Sequence, residues 1–250
     1  AFKYVILIST AVISLVGVLA WFFLKLDKKS ENEITLPKIA LPEIREVLRL
    51  LSVWLLMIII LSAYVGYKIT DVFSLYAQDV MLYDQVESAQ VGTFLLFIRP
   101  VIGVAIGILA DRTQTTLWLA LSFVITFFGA LLFATGIISD STTVLFFISI
   151  LVVATGVYAA RSLYFAVMER GRIPLVLTGT AVGLISIVGY TPDIFAGPAM
   201  GYLLDNSPGV KGHQQVFWML ALFSFIGSLA SWYYFKLYGR KSLEGRKRSE

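Results

Sequence analysis

Five ionisable side chains stand inside apolar stretches of this sequence: Lys68, Asp71, Arg99, Arg161 and Asp193. A charge at the centre of a bilayer costs about 3 kcal/mol on insertion scales, so such residues face a cavity, a partner charge or a functional site. Arg99 is nearest the middle of its stretch, too deep to snorkel to the interface. Its guanidinium is a planar fork that fits a carboxylate or a phosphate, which makes it a candidate substrate-binding residue. A structural ion pair, or a contact to a carbonyl freed by the kink at Pro100, is the competing account.

Lys68 and Asp71 are three residues apart, so they share a helical face with Tyr64 and can neutralise each other. That stripe lines a cavity or packs on a neighbouring helix; Lys68 and Tyr64 are substrate-binding candidates and Asp71 a coupling candidate. Arg161 lies between Tyr158 and Tyr164, with Glu169 eight residues on as an alternative partner. Asp193 follows Pro192, and Gly189 and Gly197 flank it. A Gly/Pro-interrupted span with a carboxylate has the form of a broken-helix coupling site. A capping Asp after a kink is the alternative. Tyr190, beside it, is taken as substrate-binding.

The elements that must hold these residues are membrane helices. Hydrophobic residues make up 58% of the chain and charged ones 14%, far from the composition of a soluble domain. About 20 apolar residues cross the hydrocarbon core as a helix. Seven stretches qualify: 4–24, 50–74, 89–110, 115–137, 143–168, 175–203 and 216–237. They are too long, and too little alternating, for membrane strands. Trp21, Trp218, Trp232 and Tyr233 fall near span ends, where aromatic belts form.

Other chemistry is missing from the sequence. With no cysteine there is no disulfide or thiolate site, and one histidine, His213, placed in a loop, makes no metal cluster. No phosphate-cradling Gly-rich Lys loop and no nucleophile elbow occurs. No catalytic group and no cofactor is expected, and the basic tail favours anionic lipid over nucleic acid.

Charge alternates from loop to loop. The connection 25–49 carries six Lys or Arg, Arg112 and then Arg170 with Arg172 follow on the same side, and the tail 238–250 is basic. Between them, 76–88 holds three acids and no base, and 138–142 only Asp140. The positive-inside rule then sets the C-terminus in the cytoplasm and residue 1 outside, in a plasma (inner) membrane. The chain divides into a lone span (1–24), a cytoplasmic linker with a short helix opening at Pro42 (25–48), a block of six spans (49–237) and the tail.

Two distant segments repeat one pattern: Gly103-x-x-x-Gly107-x-Leu109-x-Asp111 and Gly197-x-x-x-Gly201-x-Leu203-x-Asp205. They close the third and sixth apolar stretches, three crossings apart, and so face opposite sides. That is a 3+3 inverted repeat, a plan common among secondary transporters. Small-xxx-small spacing alone also serves close helix packing.

Gly107-Ile108-Leu109-Ala110-Asp111-Arg112 resembles the signature loop of the major facilitator superfamily, Gly-x-Leu-Ala-Asp-Arg-x-Gly-Arg-Lys. The match runs through Arg112 and then departs, with Gln114, Thr115 and Thr116 where Gly, Arg and Lys would stand. In that family a full signature follows the second span and a degenerate copy the eighth. The resemblance therefore implies spans six to twelve, with an N-terminal six-helix half missing as partner. It implies an all-α carrier in which a solute cavity lies between two bundles, and in which Gly107, Asp111 and Arg112 serve gating. The expected function is secondary transport of a small organic solute, an anion where Arg99 and Arg161 coordinate it. A seven-helix receptor or a channel is the alternative. The last span, 216–237, has its only Lys at the interface, and no carbonyl filter or charge ring is evident.

Overall fold

The computed structural model describes residues 2–23 and 41–239, and the chain forms two units that divide after Ala40. The first contains α1 (Phe2–Phe23), a 22-residue apolar helix. The expected linker up to residue 40 and the basic tail from residue 240 lie outside the described residues. The second unit holds α2 (Leu41–Leu48), α3 (Leu51–Ile69), α4 (Phe73–Asp79), α5 (Gln85–Arg112), α6 (Thr115–Ala134), α7 (Thr143–Leu163), α8 (Thr178–Gly189), α9 (Pro192–Asn206) and α10 (Val210–Tyr234). No strand occurs among the described residues. Among the described residues seven helical segments are long and apolar enough to cross a membrane, matching the seven stretches of the sequence.

Two of these segments are jointed. A 3-10 turn at Thr70–Val72 joins α3 to α4, so the second span runs on to Asp79 instead of stopping near residue 74. Such tight turns inside a helix mark hinges or strain. The sixth segment, Leu175–Asn206, contains α8 and α9, and its joint falls at Tyr190 and Thr191. Pro192 opens α9 because its missing N–H costs nothing at a helix start. Asp193 N–H still reaches the Tyr190 carbonyl at 3.1 Å, so the break is a bend with the chain hydrogen-bonded through it.

α3 is the centre of the second unit. It packs on α10, α8, α7 and α9, while α6 lies between α7 and α10, and α5 leans on α7 and α4. One apolar cluster gathers Phe73, Tyr76, Phe133, Phe146 and Phe217 at one end of the bundle. A second gathers Val47, Leu56, Leu119, Leu163 and Tyr234 at the other. Most of the close approaches come from glycines outside the repeated motif. A Cβ on Gly156 would meet the Ser122 carbonyl at 2.6 Å, so α6 and α7 nearly touch backbones there. Gly107, Gly197 and Gly201 have nothing within 4 Å. Of the four motif glycines only Gly103 approaches a neighbouring helix, where a Cβ would meet Ser162 Oγ of α7 at 3.1 Å; the other three do not serve helix packing within this unit.

Three local expectations need correction. α5 starts at Gln85 rather than residue 89, because Asp84 accepts from the N–H groups of Val86 and Glu87, each at 2.8 Å, while Glu87 accepts from the Asp84 N–H. This is a capping box, and its Asp-x-x-Glu spacing was present in the acidic loop. α7 ends at Leu163, short of residue 168. Residues 210–215 are helical, and His213 is fully buried instead of lying in a loop. Its Nε2 sits 3.0 Å from Asp79 Oδ2 and its ring meets Tyr76 edge-on at 5.2 Å. A tertiary partner overrides the polarity of Lys211-Gly212-His213-Gln214-Gln215.

Contacts between the described loops group them at two ends of the bundle. At one end Arg170 donates to Thr115 Oγ1 at 3.3 Å and Tyr234 donates to the Val167 carbonyl at 2.8 Å. At the other, Tyr76 donates to the Ile138 carbonyl at 2.9 Å, beside the Asp79–His213 contact.

Candidate functional site

Lys68 from α3, Arg99 from α5, Arg161 from α7 and Asp193 from α9 converge on one tyrosine-walled cluster. Lys68 and Tyr64 are one helical turn apart, so both side chains leave α3 on the face turned to α9. Lys68 Nζ reaches Asp193 Oδ1 at 2.6 Å, and Tyr64 donates to Asp193 Oδ2 at 2.9 Å. The carboxylate thus holds two donors of α3 from the first turn of α9, where the helix dipole also favours a negative charge.

The local pairing expected between Lys68 and Asp71 does not form; Lys68 is committed across the bundle instead. Asp71 lies in the 3-10 turn, on the wall of a cavity of about 200 Å³ with Tyr67, Thr70, Ser74, Arg99 and Tyr158. Larger depressions, at Pro42 to Arg49 and around Glu87 and Phe147, hold none of the five membrane-embedded charges.

Tyr67, which was not among the candidate site residues, is the hub. Its hydroxyl accepts from Arg99 Nη1 at 2.8 Å, with the Arg99 guanidinium 4.8 Å from the ring centroid. The Arg161 guanidinium lies 3.8 Å from the same centroid and 5.3 Å from that of Tyr64. Cation–π contact of this kind is worth about 2 kcal/mol when desolvated, which offsets part of the cost of a membrane-embedded charge. Arg161 does not take Glu169; among the described residues it has no ion pair, and its Nη1 is buried without an acceptor. Tyr190 packs edge-on against Tyr64 at 4.8 Å and its hydroxyl stands 3.4 Å from that of Tyr164. That separation is long for an O–H···O bond, whose usual range ends near 3.0 Å.

Gly107, Asp111 and Arg112 lie away from this cluster, in the last turns of α5, with both charged residues exposed. Neither Asp111 nor Arg112 makes an ion pair among the described residues. No group of three or more His, Asp or Glu that could hold a metal ion occurs among them either.

Two curated relatives match, both from Escherichia coli strain K12. The chain is 26% identical over 226 residues to the inner membrane protein YqcE, covering 88% of this chain and 53% of the relative. It is 37% identical over 75 residues to the inner membrane protein YihN, covering 30% of this chain and 18% of the relative. The chain therefore spans about half the length of the first relative and a smaller part of the second. No family model and no solved structure matches. Seven apolar helices and these relatives make the chain a helical membrane protein with inner-membrane homologues, compatible with a transporter.

Proposed function

We propose that this chain is the C-terminal part of a secondary carrier of the major-facilitator type, moving a small organic solute across the inner membrane by alternating access. In this reading α3 to α10 form one six-span bundle, built as a 3+3 inverted repeat, and a second bundle completes the carrier. The observation that carries it is the convergence of Lys68, Arg99, Arg161 and Asp193 from four helices onto one tyrosine cluster. Membrane-embedded charges gathered in this way mark solute and ion pathways. Both jointed spans border the cluster: Asp71 lies in one joint and Asp193 just beyond the other. Jointed spans with half-helix ends at a site belong to the structural plan of many transporters.

Roles follow from the contacts. Arg99, Arg161, Lys68, Tyr64 and Tyr190 face the solute, with Tyr67 added to them. Asp193 couples, because its carboxylate ties α3 to α9 and releases them when its charge is neutralised. Asp71 is the second carboxylate on the cavity wall. Gly107, Asp111 and Arg112 form the gate at the basic, cytoplasmic end of α5. The test is flux in proteoliposomes holding the full-length protein, with radiolabelled lactate, benzoate and glucose as probes. Saturable uptake with counterflow is expected for a member of this panel, and it is abolished in Arg99→Ala at equal protein content. Flux that rises linearly with concentration and shows no counterflow would mean a channel.

A further inference from the structure

The charge balance of the cluster names the class of solute. Lys68, Arg99 and Arg161 are cations, and Asp71 and Asp193 are the carboxylates near them. Asp193 is spent on Lys68 and Tyr64. Arg99 already donates to Tyr67 and shares the cavity wall with Asp71. Arg161 is the cation left over: it stacks on Tyr67, pairs with no described carboxylate, and keeps a sealed Nη1 with no acceptor. A buried donor without an acceptor carries the full desolvation penalty, so the site is incomplete until an acceptor arrives. One missing negative charge on a forked donor calls for an oxyanion of carboxylate or phosphate type.

The walls limit the rest of the molecule. The rings of Tyr64, Tyr67 and Tyr190 pack in sequence beside the Arg161 guanidinium, and the hydroxyl contact between Tyr164 and Tyr190 is long enough to be exchanged for a solute hydroxyl. The cavity of about 200 Å³ on the Arg99 side of Tyr67, which Arg161, Tyr64 and Tyr190 do not line, is below the ~300–1,000 Å³ of sites for drug-sized ligands. We infer that the cluster takes a compact organic monoanion, its oxyanion head on Arg161 and its body against Tyr64, Tyr67 and Tyr190. Arg161, not Arg99, is the residue that reads the charge. This rests on the cluster being the solute site.

The test is ligand-induced thermal stabilisation of the purified full-length protein. Benzoate, lactate and gluconate serve as probes, each beside a neutral counterpart: benzamide, lactamide and glucose. Inorganic phosphate and choline complete the panel. At least one carboxylate should raise the unfolding midpoint while its neutral counterpart does not. Arg161→Lys keeps the charge and loses the fork, so it should weaken that binding about tenfold, as for one charge-assisted hydrogen bond. Arg161→Gln should remove it. Equal stabilisation by a neutral counterpart, by choline alone or by inorganic phosphate alone, or silence across the panel, overturns the inference. A neutral probe that binds and is lost in Tyr67→Ala or Asp193→Asn would leave the solute site standing while the anion class falls. Carboxylate binding indifferent to Arg161→Gln, Tyr67→Ala and Asp193→Asn alike would remove the site itself.

Discussion

Removing Asp79 should cost more stability than removing the histidine it holds. His213 is 0% exposed, whereas the Asp79 side chain is 37% exposed. The imidazole already has one buried nitrogen, Nδ1, without a partner, and Asp79 satisfies the other. Asp79→Ala therefore strands a fully buried polar ring, at about 1–3 kcal/mol for the lost partner. His213→Phe does the reverse. It deletes both buried nitrogens, keeps an aromatic ring against Tyr76, and returns a partly exposed carboxylate to water. Phenylalanine is larger than histidine by somewhat more than a methylene, so overpacking should cost about 1 kcal/mol, at the low end for added bulk in a core. For a unit of this size about 1 kcal/mol moves the melting temperature by ~2–4 °C, so Asp79→Ala should fall by several degrees and His213→Phe by little. Thermal unfolding in one detergent, followed by the loss of monodisperse protein, gives both values. If His213→Phe is the more damaging of the two, the buried imidazole contributes net stability and the reasoning from its unpartnered nitrogen is wrong.

Two further outcomes follow from packing and from topology. Gly156→Ala puts a Cβ 2.6 Å from the Ser122 carbonyl and 2.8 Å from the Thr126 nitrogen, backbone atoms that cannot rotate away. It should destabilise by about 1–3 kcal/mol. Gly107→Ala and Gly197→Ala meet nothing within 4 Å and gain helix propensity, up to about 1 kcal/mol; thermal unfolding of the three variants of this chain in detergent should rank them accordingly, and the opposite order would refute the packing account. The chain has no cysteine, so single cysteines report sidedness without background. Cysteines replacing Asp84, Asp140 or Lys211 should react with an impermeant thiol reagent from outside whole cells, and those replacing Arg112 or Arg170 only after the membrane is opened; labelling of positions 84 and 112 from the same side would overturn the orientation.

The number of spans was legible because hydropathy is a local quantity: about twenty apolar residues announce a crossing whatever they touch. Charge alternation was legible for the same reason, and among the described loops Arg170 meets Thr115 at one end of the bundle while Asp79 meets His213 at the other. The membrane-embedded charges were legible as exceptions, each costly enough to need a reason, but not as a set. Tyr64 and Asp193 are 129 positions apart, and nothing in either neighbourhood names the other. The spacing of Lys68 and Asp71 showed only that they can meet; a carboxylate in the first turn of α9 takes the lysine instead. Tyr67 was not a site candidate because a tyrosine in an apolar stretch carries no penalty that demands an account. Its importance comes from two guanidiniums delivered by α5 and α7, and so belongs to the packing of three helices. His213 failed the other way: a polar run of five residues reads as loop until Asp79, from another helix, supplies its partner. Costs intrinsic to a residue survive in the sequence, while the contacts that offset them are set by tertiary structure. Among the described residues Arg161 has no ion pair and keeps a buried Nη1 without an acceptor, which is why the negative charge of the proposed solute belongs there.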